Sequence, residues 1–102
     1  MKYTDGKNIP WNDIDIETDI DWDNIQFLTH EETDNGIVIK RLSNIPQIGG
    51  LYPILAYRGN FLRYLKQFVG GEEIANSLDQ GLLWDMSLTL SRGGVIPFST
   101  RE

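Results

Sequence analysis

A chain of 102 residues, 40% of them apolar and eleven aromatic, suffices for one hydrophobic core and is too rich in core-forming residues for global disorder. It has no cysteine, which excludes disulfides, thiolate nucleophiles and cysteine–metal clusters and leaves packing alone to hold the fold. Its charge is split: residues 1–35 carry ten acids against Lys2 and Lys7, whereas residues 36–102 carry seven bases and five acids. An acidic N-terminal third would repel phosphates, so direct binding of nucleic acid or an anionic membrane through that part is not expected.

Residues 1–10 are polar, end in Ile9-Pro10 and lack the apolar run of a signal peptide. They predict a loosely held lead-in, on a protein whose expected location is cytoplasmic. Next comes NDIDIETDIDWDN at 12–24, with an acid at every second position from Asp13 to Asp23. As a helix, Ile14, Ile16, Ile20 and Trp22 scatter around the axis. As a strand they share one face with Thr18, and Asp13, Asp15, Glu17, Asp19, Asp21 and Asp23 share the other. The alternation therefore predicts a strand.

Residues 26–43 predict a β-hairpin turning at Asn35-Gly36, the preferred dipeptide of a type I′ turn, with Glu31 opposite Lys40. A turn one residue earlier, at Asp34-Asn35, is the alternative register. Pro46, Gly49-Gly50 and Pro53 predict loop over 44–59, with a short strand at 54–57. Asn60 then reads as the cap of a helix whose apolar face is Phe61, Leu62, Leu65, Phe68 and Val69, ended by Gly70-Gly71. Glu72 and Glu73 open a second helix with Ile74, Ala75 and Leu78 inward. Residues 82–91 fit either a strand or a helix; the spacing of Ile74, Leu78, Leu82, Met86 and Leu90 by four favours helix. Gly93-Gly94 stops it, and residues 95–98 are a short extended end. The class is α+β in a single domain over 1–102: N-terminal antiparallel strands and hairpin, then two or three C-terminal helices.

Catalytic constellations are missing. His30, the sole histidine, has no second histidine for a zinc motif or a triad and reads as a solvated strand residue. The GGEEI stretch at 70–74 sets two carboxylates where a phosphate would need a bare helix N-terminus, which disfavours nucleotide binding. No enzyme activity and no cofactor are expected. Calcium is the sharper alternative for the acids, since Asp19, Asp21 and Asp23 fit the first three ligand positions of an EF-hand loop. That match fails at Asn24, where glycine is needed, and at His30, where glutamate is needed, leaving only an irregular site.

Carboxylates on one face of a strand stand about 6.7 Å apart. Five neighbouring pairs then repel by roughly 1.5 kcal/mol in physiological salt. Such a row calls for a structural reason, an edge strand guarded by charge, or for a partner. The partner reading makes the row a loose imitation of a nucleic-acid backbone offered to the basic surface of a nuclease or other nucleic-acid-binding effector. Trp11 and Trp22 would act as anchors if exposed. Toxin-immunity, anti-restriction and anti-CRISPR proteins are the functional classes that this size and charge suit. The alternative is a small structural or assembly subunit, using Trp11, Tyr52, Tyr57 and Tyr64 at interfaces or self-associating through its acids and the Arg58, Arg63 and Lys66 of a second copy.

Overall fold

The computed structural model describes residues 2–46 and 51–99, with nothing said of the side chains of residues 51 and 52. The fold is α+β, as the sequence predicts. A hairpin of β1 (Leu28–Thr33) and β2 (Gly36–Arg41) is followed by α1 (Leu51–Leu65), α2 (Gly71–Ser77), α3 (Gln80–Ser91) and β3 (Ile96–Ser99). The antiparallel sheet has the order β1-β2-β3, so the short extended end completes it beside the inner strand of the hairpin.

The hairpin takes the alternative register. Thr33 pairs with Gly36, so Asp34-Asn35 makes the turn, and neither residue has positive φ. Glu31 thus stands opposite Val38, and Ile39 opposite His30. Lys40 still reaches Glu31 diagonally as an ion pair and holds that carboxyl below its usual value. The register keeps Glu32 near the hairpin end instead of over Ile39, which is fully buried. One face of the sheet turns Leu28, Ile37, Ile39 and Ile96 toward the helices.

The longest departure from the sequence prediction is α1, which starts well before Asn60. Pro53 sits in its first turn, where a missing N–H costs no intrahelical bond, so the residue that suggested loop is compatible with helix. The predicted strand at 54–57 is helical, and the predicted loop at 47–50, Gly49-Gly50 included, lies outside the described residues. Asn60 is no cap: it is buried in mid-helix, where its amide donates to the carbonyl of Ile25. Phe61 and Leu65 face the core as predicted, but Val69, beyond the helix end, is fully exposed.

Helices α2 and α3 are separate. Leu78 is extended and the Asp79 carboxylate accepts from the Leu82 amide at 2.7 Å, starting a new helix, so the four-residue spacing from Ile74 to Leu90 spans two helices rather than one. Residues 82–91 are helical, yet the buried stripe is Leu83, Ser87 and Leu90; Leu82 points outward. Ser87 is fully buried and returns its hydroxyl to the Leu83 carbonyl, which satisfies a polar group within the core-facing side of α3. One cluster unites the core, with Phe27, Phe61, Ile25, Ile39 and Leu90 essentially inaccessible. Burying side chains of this size contributes about 1.5–3 kcal/mol each.

The N-terminal lead-in is docked, against expectation. Its amides and carbonyls at Tyr3, Thr4 and Gly6 bond to residues 19–26, and Ile9 is buried in the core. Gly6 permits this approach: a β-carbon there would lie 2.8 Å from that of Phe27. Among the described residues, no helix is long and apolar enough to cross a membrane.

Candidate functional site

The alternation at 12–24 does not make a strand. The segment is a chain of turns, paired with its neighbours only through the isolated bridge of Ile20 to Tyr3. The physical reason lies in the aspartates themselves. Asp19 accepts from the Asp15 amide at 2.8 Å, and Asp15 accepts from the Glu17 amide at 2.9 Å. Asp21 accepts from the Asn24 side chain at 3.2 Å, and the Asp19 amide closes a turn onto the Asp15 carbonyl at 2.8 Å. Side chains that capture nearby amides give the backbone an alternative to a ladder, which is why aspartate favours turns over strands.

The six acids thus divide into two groups. Asp15, Asp19 and Asp21 hold turns together. Asp13, Glu17 and Asp23 are exposed and make no side-chain hydrogen bond or ion pair among the described residues. The isoleucines divide as well. Ile20 is buried and Ile14 half-buried, but Ile16 is 38% exposed, flanked by Asp15 and Glu17. No cluster of three or more acids or histidines among the described residues could hold a metal ion, so the acids do not converge as a calcium site requires.

The tryptophans do not stand out as anchors. Trp22 is buried, packed edge-on against Phe27, and its indole N–H donates to the Ile16 carbonyl at 2.8 Å. Trp11 is half-buried and shares with Trp22, Phe27 and Tyr57 the lining of a cavity of about 10 Å³, room for roughly one water and no ligand. Tyr57 and Tyr64 are buried too, and Tyr52 lies outside the described side chains. Burial pushes both phenols above their ordinary value. Arg41 partly opposes this at Tyr57, as the polar side chains of Thr29 and Gln67 do at Tyr64. His30 is not the solvated strand residue expected: its Nδ1 lies 2.5 Å from the Tyr64 hydroxyl, and its ring meets Phe68 edge-on at 4.9 Å.

Beside the acidic turns is a groove of about 260 Å³ that the sequence reading missed. Trp22 and Asp23 form one wall, and Leu55, Ala56, Arg58, Gly59 and Arg63 of α1 form the other. Ala56 and Gly59 are small, so the helix surface sinks between the two arginines. Arg63 donates to the Ile25 carbonyl at 3.2 Å, whereas Arg58 makes no hydrogen bond or ion pair among the described residues. The spacing of Leu55, Arg58, Gly59 and Arg63 marks one helix face, but only once residues 51–59 are known to be helical.

Comparison of the chain with protein-family models, with curated proteins and with solved structures gives no match.

Proposed function

We propose that this is a non-enzymatic binding protein that presents its acidic turns to a basic surface on another protein. The observation that carries the reading is the trio Asp13, Glu17 and Asp23, exposed and without a side-chain hydrogen bond or ion pair among the described residues, in the same run of turns as the exposed Ile16. Open carboxylates beside an apolar side chain suit an interface in which charge steers association and a desolvated contact supplies affinity. A nuclease or other nucleic-acid-handling protein is the partner class we favour, because such proteins carry basic channels. The inhibitor reading, of immunity, anti-restriction or anti-CRISPR type, follows from that class. The imitation is one of charge alone: a chain of turns does not reproduce the regular spacing of a phosphate backbone.

The test separates the open acids from those that hold turns. Asp13→Asn, Glu17→Gln and Asp23→Asn are combined in one variant, and capture of basic proteins from a host lysate is compared with wild type. Loss of a nucleic-acid-handling partner from the variant, with its fold intact, supports the reading. Equal capture by both proteins overturns it.

A further inference from the structure

We propose that the groove between α1 and the Trp22-Asp23 turn receives the Asp15-Ile16-Glu17 turn of a second copy of this chain, giving a two-fold dimer. The knob and the hole are chemically complementary. The groove offers Arg58, which makes no hydrogen bond or ion pair among the described residues, Arg63 with one of its donors engaged at Ile25, and an apolar lining of Trp22, Ala56 and Leu55. The turn offers an exposed isoleucine between two exposed acids. An aliphatic side chain flanked by carboxylates is the kind of group such a groove fits.

Position on the molecule favours a second copy over an unrelated acidic peptide. The Trp22 indole, which walls the groove, donates to the carbonyl of Ile16 at 2.8 Å, so knob and hole are neighbours on one surface. A surface carrying both halves of a complementary pair side by side becomes self-complementary under a two-fold axis, each turn entering the other groove. The dimer also answers the charge split, bringing acids of the N-terminal part onto arginines of α1 twice per assembly. Asp23 at the groove rim and the modest groove size make the association weak and sensitive to salt.

The proposal does not rest on the function proposed above, although both use Ile16 and Glu17 and the two occupants compete for them, and the two fail separately. Arg58→Glu reverses one of the two positive charges of the groove but leaves every acid in place, so it weakens dimerisation and spares capture of a basic partner. The decisive experiment is sedimentation equilibrium of the full chain at low and high salt. It is run for wild type, Arg58→Glu, Glu17→Lys and an equimolar mixture of the two variants. The wild type is expected to dimerise at low salt and dissociate as salt rises. Each variant alone is expected to weaken the dimer by about tenfold or more, and the mixture to restore it, because one interface then keeps the native pairs and the other carries them reversed. Gly59→Leu fills the groove without altering charge and improves helix propensity, so it should abolish dimerisation while keeping the fold. A wild type that stays monomeric at low salt overturns the proposal without recourse to any variant. So does a dimer that survives both charge reversals, or a mixture that fails to restore what each variant lost.

Discussion

Two side chains of α1 converge on a single backbone oxygen: Asn60 and Arg63 both donate to the carbonyl of Ile25. Asn60 is fully buried, and Ile25 lies in the segment that leads from the acidic turns into β1. This fixes the N-terminal third against the helix that carries the groove. Asn60→Leu keeps the number and branching of the side-chain heavy atoms but removes the donor, and Arg63 alone remains to serve the carbonyl. The variant should lose about 1–3 kcal/mol, read from the urea midpoint. An unchanged midpoint would mean that the Asn60 bond contributes nothing net.

The division of the acids makes a second prediction. Asp19→Ala removes the acceptor for the Asp15 amide and should cost about 1 kcal/mol, as loss of a capping side chain does. Asp13→Asn and Glu17→Gln remove no side-chain bond among the described residues and ease repulsion, so they should leave the midpoint unchanged or raise it slightly. Equal losses at all three positions would contradict the turn geometry.

Glycine substitutions separate close packing from helix propensity. A β-carbon on Gly71 would lie 1.7 Å from the Leu65 carbonyl oxygen, so Gly71→Ala must push α2 away from the end of α1. A loss of about 1–3 kcal/mol is expected, with a fall in Tm of roughly 4–8 °C for each kcal/mol. At Gly81, in the first turn of α3, the nearest atom to an added β-carbon is the Asp79 carboxylate at 3.4 Å. Gly81→Ala should therefore stabilise, by at most about 1 kcal/mol. Thermal melts of the two variants should move in opposite directions.

Alkaline pH should weaken the fold. Tyr57 and Tyr64 have folded-state pKa values raised by burial, so the folded chain holds these protons more tightly than the unfolded one. Their contribution is complete below the ordinary phenol value of about 10 and is lost as pH rises through the folded values. Urea midpoints should fall above about pH 10, and Tyr57→Phe should flatten part of that decline. A midpoint independent of pH through this range would argue that both phenols are open to water.

The hairpin, the helical character of the C-terminal half and the α+β class are legible because their signals are local: alternating β-formers around a turn, apolar residues at helical spacing and the glycine breaks at 70–71 and 93–94. The acidic segment misleads for a physical reason. Alternation with period two marks a strand only if the polar positions are indifferent to their own backbone, and Asp15 and Asp19 instead bond amides two and four residues away. Pro53 misleads because its cost depends on whether it lies in the first turn of a helix, which the sequence does not announce. Asn60 looks like a cap because its partner, the Ile25 carbonyl, is distant in sequence. The groove needed both corrections at once, since one wall is the misread turn and the other is the misread helix. The open acids themselves were legible; which of them are open was not.

The order β1-β2-β3 has a consequence for how the molecule is made. Until residues 96–99 arrive, Ile37 and Ile39 lie on a strand with one bare edge, and the intervening chain from Arg41 to Ile96 must fold or wait. Closing so long a loop is entropically unfavourable and slows the last pairing step. During synthesis that edge is a template for any extended chain nearby. The adjoining β1, with Glu31 and Glu32 side by side, gives the unfinished sheet charges that discourage such contacts. Negative charge on the growing chain would then protect its birth.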